Sequence, residues 1–166
     1  DKSIADILNF SIDEALIFFR ESEEKIAQKI ADKIKNLSDV GLGYLKVGQS
    51  SSTMSGGEAQ RIKLASFLAK GNSHPSSLFL FDEPTTGLHF DDVSKLLIAF
   101  DSLIKLGHSI VVIEHNMDVI KCADHIIDLG PEGGKNGGQI LFEGTPEELI
   151  QQKNNSTAIY LKEKLI

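Results

Sequence analysis

The stretch Ser-Gly-Gly-Glu-Ala-Gln-Arg at residues 55–61 decides how we interpret this sequence. Ser55 can act as a helix N-cap, and Glu58, three residues later, can complete a capping box. Small and apolar residues then recur at helical spacing, at Ala59, Ile62, Ala65, Ser66 and Ala69. We therefore predict a helix that begins here, with Gly56 and Gly57 in its first turn.

The two adjacent glycines indicate that something approaches the backbone closely. Inside a helix each glycine costs about 1 kcal/mol relative to alanine. Without Cβ atoms at Gly56 and Gly57, the free N–H groups and the positive end of the helix dipole form a surface suited to a phosphate oxygen. The alternative is an ordinary capped helix with a flexible lead-in, and this motif alone does not decide between the two.

A second motif, Leu-Phe-Leu-Phe-Asp-Glu-Pro, occupies residues 78–84. An apolar run without alternation, with loop signals on both sides, predicts a strand of a parallel sheet that is covered on both faces. Ligands collect beyond the carboxyl ends of such strands, where Asp82 and Glu83 fall. Asp82 can hold Mg²⁺, directly or through water, and Glu83 can orient or deprotonate an attacking water. An acidic turn after a buried strand is the structural alternative.

Residues 109–115 repeat this design as a β-branched run that ends in Glu-His. His115 follows Asp82 by 33 residues. A histidine at the end of a strand can donate to a phosphate oxygen and so detect the γ-phosphate. A histidine with a purely structural role is the alternative, and the order of the three motifs favours the functional interpretation.

These motifs, in this order, resemble the signature, Walker B and switch histidine of ABC ATPases. More narrowly, the chain resembles the UvrA family, the damage-recognition component of the bacterial excinuclease. The similarity to that family is not limited to the three motifs. It includes four further stretches, at residues 2–8, 85–90, 112–116 and 126–134. The resemblance extends from the first residues to about Leu149.

The resemblance implies an α/β fold, the C-terminal part of an ABC-type domain with a mainly parallel sheet flanked by helices. Residues 1–72 would form a helical signature region, and residues 73–166 an α/β core with Walker B and the histidine. In ABC proteins ATP lies between the phosphate loop and Walker B of one domain and the signature of another. The chain would thus hold two half-sites that face different nucleotides.

The resemblance also implies the roles of individual residues. The signature residues that would contact one ATP are Ser55, Gly56, Gly57 and Gln60. At the other nucleotide, Asp82 would hold Mg²⁺ largely through water, Glu83 would be the general base, and His115 would contact the γ-phosphate. Gly87 would also contact ATP, from the D-loop, which crosses the domain interface. His89 and Met54 depart from the usual acidic residue and leucine, and a change from leucine to methionine keeps the side-chain volume.

For the whole protein, the UvrA resemblance implies ATP binding and hydrolysis coupled to recognition of damaged double-stranded DNA. The implied partners are a second UvrA, the N-terminal ATPase domain and UvrB, and the implied location is the cytoplasm. Nothing in these residues cuts DNA. The nucleotide-binding component of an ABC transporter and a UvrA-like resistance paralogue remain alternatives.

Two further alternatives come from other classes of protein. A DExx-type helicase shares only the acidic pair, and the helix predicted at residues 55–61 argues against it. A module without enzymatic activity, which docks to another ATPase, also stays open for the chain itself.

One element of a complete ABC domain is missing, because no G-x-x-x-x-G-K-[ST] phosphate loop occurs in the sequence. The nearest match, at residues 130–136, has three residues between the glycines and Asn136 in place of Ser or Thr. Cys122 is the only cysteine, so the four-cysteine zinc module of UvrA cannot form here. We expect a C-terminal piece that begins after the zinc module and is inactive alone, with zinc elsewhere in the full-length protein.

Composition restricts the class of protein further. A hydrophobic content of 41% and a charged content of 25% are ordinary for a globular protein. Neither a signal peptide nor an apolar stretch of about 18 residues occurs, so the sequence indicates no membrane partner. The net charge of −7 gives no support for autonomous DNA binding, so a DNA partner rests on the resemblance.

The remaining patterns predict further elements. Ser11 and Glu14 predict a second capping box. Ile26, Ile30 and Ile34 predict the next helix, whose basic stripe of Lys25, Lys29 and Lys33 is either a solvated face or a DNA-facing one. Residues 93–104 predict an amphipathic helix on the sheet, ended by Gly107. Residues 125–129 and 139–142 predict two strands joined by a Gly-rich turn, and Thr145 with Pro146 predicts another helix start.

Overall fold

The computed structural model describes residues 2–69 and 75–165, and these form two compact units, Asp1–Ile113 and Glu114–Ile166. The first unit contains five helices and two strands among its described residues: α1 Ile4–Asn9, α2 Ile12–Arg20, α3 Lys25–Asp39, α4 Gly56–Leu68, β1 Leu78–Asp82, α5 Phe90–Lys105 and β2 Ser109–Ile113. The second contains α6 Met117–Ile120, β3 Ile126–Gly130, β4 Gln139–Gly144, α7 Pro146–Leu149 and α8 Ser156–Leu165.

Capping boxes begin α2 and α4, as predicted. At α2 the Ser11 hydroxyl accepts from the Glu14 N–H at 3.1 Å, and the Glu14 carboxylate accepts from the Ser11 N–H at 2.7 Å. Thr145 and Glu148 make the same reciprocal pair at α7, with Pro146 in the first turn. Each box satisfies donors that the helix itself leaves unpaired.

Helix α3 forms where expected. Its buried residues are Ala27 and Ala31, whereas Ile26 is 73% exposed and Ile30 and Ile34 are half-buried. Since α2 packs closely against α3, small side chains are needed at their contact. The three lysines of the basic stripe are all exposed.

Strands β1 and β2 pair in parallel, as the two apolar runs predicted, with Leu80 beside Val111 and Asp82 beside Ile113. One face of the pair packs on the core, where Phe81 contacts Phe100 of α5 with ring centroids 4.8 Å apart. Leu42 of the loop after α3, Leu64 of α4 and Leu96 of α5 belong to the same core.

The prediction that this sheet is covered on both faces is wrong for the chain itself. Leu78, Leu80, Val111 and Ile113 on the other face are 61%, 70%, 49% and 63% exposed. An apolar run indicates that both faces of a strand can be buried. It does not indicate whether the segments that bury them belong to the same sequence.

The second unit is built on the antiparallel pair of β3 and β4, which confirms the two predicted strands. Its core contains Leu149 of α7 and Ala158 and Leu161 of α8. Asp128 on β3 accepts from the Asn155 amide at 2.5 Å and from the Thr157 hydroxyl at 3.0 Å, which ties the start of α8 to the strand.

The predicted division between residues 1–72 and 73–166 falls at residues that lie outside those described. It differs from the compact units, because α1 to α5 and the β1–β2 pair belong to one unit. The division into signature region and core therefore stays a prediction about function.

Candidate functional site

The N-terminus of α4 has the predicted capping geometry. The Ser55 hydroxyl accepts from the Glu58 N–H at 3.2 Å, and the Glu58 carboxylate accepts from the Ser55 N–H at 2.7 Å. Gly56 is exposed, and a Cβ added there would meet nothing within 4 Å. The first turn of a 13-residue helix is therefore open to a ligand at Gly56.

Gly57 has a different environment from Gly56. It is buried, and an added Cβ would lie 3.3 Å from Arg61 Nη1 and 3.5 Å from the Thr86 carbonyl oxygen. The absence of a side chain at Gly57 thus allows α4 to approach the turn that follows β1.

The helix predicted from the spacing of these residues is present as α4. Its buried residues are Gly57, Arg61, Leu64 and Ala65, whereas Ala59, Ser66 and Ala69 are exposed. The buried face thus includes a fully buried arginine, which is uncommon for a charged residue. Gln60, predicted to contact ATP, has its side-chain oxygen 3.3 Å from the Asp82 N–H, which donates to it.

Asp82 and Glu83 are both exposed after β1. Glu83 has a φ of 45°, which is uncommon for a residue other than glycine. Its N–H donates to the Ile113 carbonyl of β2 at 2.9 Å, and its own carbonyl accepts from the Thr86 N–H at 3.1 Å. The backbone at Glu83 is therefore held from both sides.

Gly87 follows in a second turn, closed by the hydrogen bond from the Leu88 N–H to the Thr85 carbonyl at 3.0 Å. Its φ of 79° requires a glycine or a similarly permissive residue. Gly87 thus allows the backbone conformation that this turn requires. A contact of Gly87 with ATP stays a prediction.

An open cavity of about 270 Å³ brings the two motifs to one edge of the first unit. It is lined by Gly56, Gly57, Gln60, Asp82, Glu83 and Thr86. The lining thus includes residues of the 55–61 motif together with Asp82 and Glu83, and the Gln60 side-chain oxygen accepts from the Asp82 N–H. The N-terminus of α4, with its positive dipole end, and the turn that carries the two acidic residues therefore lie side by side.

The charged groups around α4 shift one another's pKa values. The Tyr44 hydroxyl donates to Glu58 at 2.6 Å, and this bond, with that from the Ser55 N–H, lowers the pKa of Glu58. Partial burial and the same carboxylate raise the pKa of Tyr44. Burial lowers the pKa of Arg61, while the nearby Tyr44 and Glu58 act in the opposite direction.

His115 belongs to the second compact unit, which begins at Glu114. It is exposed and follows β2 by two residues. Its N–H donates to the Glu114 carboxylate at 3.1 Å, and the Asn116 N–H donates to the same oxygen at 3.2 Å. Glu114 and the N-cap residue Asn116 thus fix the backbone that carries His115. Its contact with a γ-phosphate stays a prediction.

The donor groups of the two motifs each fit one part of a magnesium–nucleotide complex in kind. Carboxylate oxygens suit Mg²⁺, and uncovered helix N–H groups suit a phosphate oxygen. Among residues 2–69 and 75–165 no group of three or more His, Cys, Asp or Glu side chains is arranged to hold a metal alone. Asp82 therefore fits a partial magnesium site, in which phosphate and water complete the coordination.

A larger cavity of about 410 Å³ lies between α3 and α5 and contains none of these motifs. Its lysines are paired on their own helices, Lys35 with Asp39 and Lys95 with Asp92. No helix in the described part of the chain has the length and apolar character needed to cross a bilayer.

Two features of the site were not predicted from the sequence, the buried Arg61 and the left-handed backbone of Glu83. Arg61 lies four residues after Gly57 on the same helix face, and that spacing was a usable signal. For Glu83 no residue type gave a signal, since neither glycine nor asparagine marks the position.

Comparison with known protein families agrees with this geometry. A family model described as ABC transporter matches residues 4–86, half of the chain, including the α4 motif and the turn after β1. The chain belongs to the ABC transporter family. A structure of a bacterial Atm1-family ABC exporter with ATP bound has a TM-score of 0.54 at 20% identity over 96% of this chain and 27% of that chain, which shows a shared fold.

Within that family the chain is similar to UvrA proteins, which confirms the narrower resemblance. It is 54% identical over 99% of its length to UvrABC system protein A of Streptococcus pyogenes, and likewise 54% identical to that of Aquifex aeolicus. The crystal structure of UvrA2 from Deinococcus radiodurans matches with a TM-score of 0.82 and 41% identity over 99% of this chain and 20% of that chain. The chain spans 17% of the length of the first two relatives.

Proposed function

We propose that the chain supplies two half-sites to the ATPase of a UvrA-type protein. The first is the open N-terminus of α4 with Ser55, Gly56 and Gly57, which contacts the γ-phosphate of one ATP. The second consists of Asp82, Glu83 and His115, which act on another ATP. The observation that carries the proposal is that the chain exposes two separate sets of ligand groups, the open first turn of α4 at Gly56 and the acidic residues Asp82 and Glu83 after β1.

The residues divide the work by their chemistry. Bound ATP supplies the phosphoryl group, with Mg²⁺ offsetting its charge. Asp82 holds the metal, largely through water. Glu83 orients a water molecule and accepts its proton, and the turn around it keeps the carboxylate exposed. His115 donates to a terminal phosphate oxygen and loses that contact after hydrolysis.

The same proposal extends to the whole protein. UvrABC system proteins A are its relatives at 54% identity. From the resemblance to the UvrA family we assign the whole protein a dimer with two ATPase domains per chain that recognises damaged double-stranded DNA and loads UvrB. The phosphate loops and a zinc module would lie in the rest of such a protein, which would work in the cytoplasm. The proposal rests on the family similarity and, for DNA, not on the net charge of −7.

The test is Glu83→Gln in a full-length protein that contains this chain. We expect ATP to bind normally and hydrolysis at the site that Glu83 serves to fall by about 100-fold or more, so that ATP stays trapped there, because glutamine cannot accept a proton. Glu23→Gln, at an exposed position remote from the motifs, is the matched control and should leave turnover unchanged. Normal turnover by Glu83→Gln would remove Glu83 from the role of general base and overturn the mechanism.

A further inference from the structure

Two neighbouring side chains of α4 contact the backbone on either side of Glu83. The Gln60 side-chain oxygen accepts from the Asp82 N–H at 3.3 Å, immediately before Glu83. The Arg61 guanidinium donates through Nη1 to the Pro84 carbonyl, immediately after Glu83. The residue with the uncommon backbone thus lies between two contacts from a single helical turn.

We propose that Gln60 and Arg61 are positioning residues that hold the left-handed turn at Glu83, so that contact of an anion with the N-terminus of α4 is coupled to the orientation of the Glu83 carboxylate. The inference rests on the proposed function of Glu83 and goes further by giving the two signature residues a task within their own chain. A residue other than glycine with positive φ is strained and persists only where its surroundings hold it. The two hydrogen bonds, with that from the Glu83 N–H to the Ile113 carbonyl, are such restraints.

Stability alone does not explain Arg61. Its side chain is 0% exposed, and Nε and Nη2 are buried without a hydrogen-bond partner among the described residues. A buried charge with unsatisfied donors is destabilising, and an apolar side chain of similar volume would fill the same space at a lower desolvation cost. Unlike an apolar side chain, the guanidinium provides a hydrogen-bond donor with a fixed direction, and this donor points to the Pro84 carbonyl.

The geometry also gives a route between the two motifs. Arg61 Nη1 lies 3.3 Å from the position of a Cβ at Gly57, so the guanidinium packs beneath the first turn of α4. That same Cβ position is 3.6 Å from the Glu83 carbonyl oxygen. A displacement of the first turn when an anion binds would therefore be passed directly to the backbone of Glu83.

The experiment compares variants of a full-length protein that contains this chain. Arg61→Met keeps the volume and removes the donor, Arg61→Lys keeps a donor, and Lys63→Met is the matched control at an exposed position of the same helix. We expect Arg61→Met to lower kcat by about 10- to 100-fold, because a misplacement near 1 Å at the reacting group has effects of that size. KM for ATP should change by less than about threefold, since binding groups are untouched.

Thermal unfolding separates positioning from a structural role. We expect the melting temperature of Arg61→Met to be equal to or above that of the unchanged protein, and Arg61→Lys to recover part of kcat. Lys63→Met should alter neither quantity. A normal kcat in Arg61→Met would overturn the inference, and so would a loss of kcat that follows a loss of melting temperature and is not rescued by lysine. If Arg61→Met does not fold, Gln60→Leu, which removes the acceptor, and Gln60→Glu, which keeps it, decide the question. A lower kcat in Gln60→Leu with an unchanged melting temperature and an unchanged KM for ATP, recovered in part by Gln60→Glu, supports the inference, and a normal kcat in Gln60→Leu overturns it.

Glu83→Gln, measured in parallel, distinguishes this inference from the proposed function. If Glu83→Gln hydrolyses ATP normally, the proposed function is wrong and the inference falls with it. If Glu83→Gln is inactive but Arg61→Met is fully active, only the inference is wrong. Because Arg61 acts through Glu83, adding Arg61→Met to Glu83→Gln should cause no further loss of kcat, whereas additive losses would contradict the coupling.

Discussion

At the scale of the residue, the two adjacent glycines of α4 have separate tasks. Gly56 is open to a ligand, whereas Gly57 allows the helix to approach Arg61 and the turn at Thr86. The sequence predicted the pair but not this division, because a glycine pattern does not report which side of the helix faces protein. Only the packing of α4 against the turn distinguishes them.

The difference predicts that alanine substitutions at the two positions have unequal effects on stability. Gly56→Ala should raise the free energy of unfolding by up to about 1 kcal/mol, because alanine has the better helix propensity and the added Cβ is unobstructed. Gly57→Ala should gain less or lose stability, since its Cβ would lie 3.3 Å from Arg61 Nη1. Chemical denaturation of both variants measures this. Equal stabilisation by the two substitutions would contradict the assigned packing.

At the scale of the element, the capping boxes of α2 and α4 were fully predictable, because a box is encoded by residues three apart. The buried faces of α3 and α4 were not. They depend on tertiary partners: α2 selects alanines on α3, and the turn after β1 accommodates Arg61 on α4. Local pattern therefore gave helix starts, and long-range packing decided which face is inside.

The α4 cap predicts a pH effect. Hydrogen bonds from Tyr44 and the Ser55 N–H lower the pKa of Glu58 in the folded state below its ordinary value of 4.5. A lowered pKa adds stability above pH 4.5, and this stability is lost as pH falls through the folded-state value. Glu58→Gln, which retains capping ability, should therefore weaken the fall in melting temperature between about pH 5 and pH 3. An unchanged pH profile would show that the Glu58 contacts contribute nothing.

At the scale of the whole molecule, the exposed apolar face of the β1–β2 pair is the surface that another segment of a longer protein could cover. Leu78, Leu80, Val111 and Ile113 present apolar side chains on a strand pair of the parallel type that normally has both faces covered. The sequence predicted the strands and their direction, but their cover could not be read from it. We propose that the remainder of an ABC-type domain, with its phosphate loop, covers this face.

Leu80→Lys tests that proposal. In a full-length protein we expect it to lower the free energy of unfolding by about 2–5 kcal/mol, because a charge would replace a leucine buried by the covering segment. Ile26→Lys, at a similarly exposed position of α3, is the control and should cost little. Differential scanning calorimetry measures both. Equal small effects would show that the β1–β2 face is uncovered in the complete protein as well.

The isolated chain should bind ATP weakly or not at all, because neither half-site has the lysine and backbone cradle of a phosphate loop. Isothermal titration calorimetry with magnesium–ATP should give no saturable heat in the micromolar range. Micromolar affinity would mean that the cavity between α4 and the turn after β1 is sufficient for nucleotide binding. The division of labour between domains would then be wrong.

The central claim is that the N-terminus of α4 and the Glu83 carboxylate serve different nucleotides. The most direct measurement is the amount of radiolabelled ATP retained per chain after a chase, in a full-length protein with Glu83→Gln alone and with Gly56→Asp added. We predict that the ATP trapped at the Glu83 site remains in the double variant, because Gly56 contacts the other nucleotide. Release of that ATP by Gly56→Asp would show that one nucleotide touches both motifs and would contradict the account.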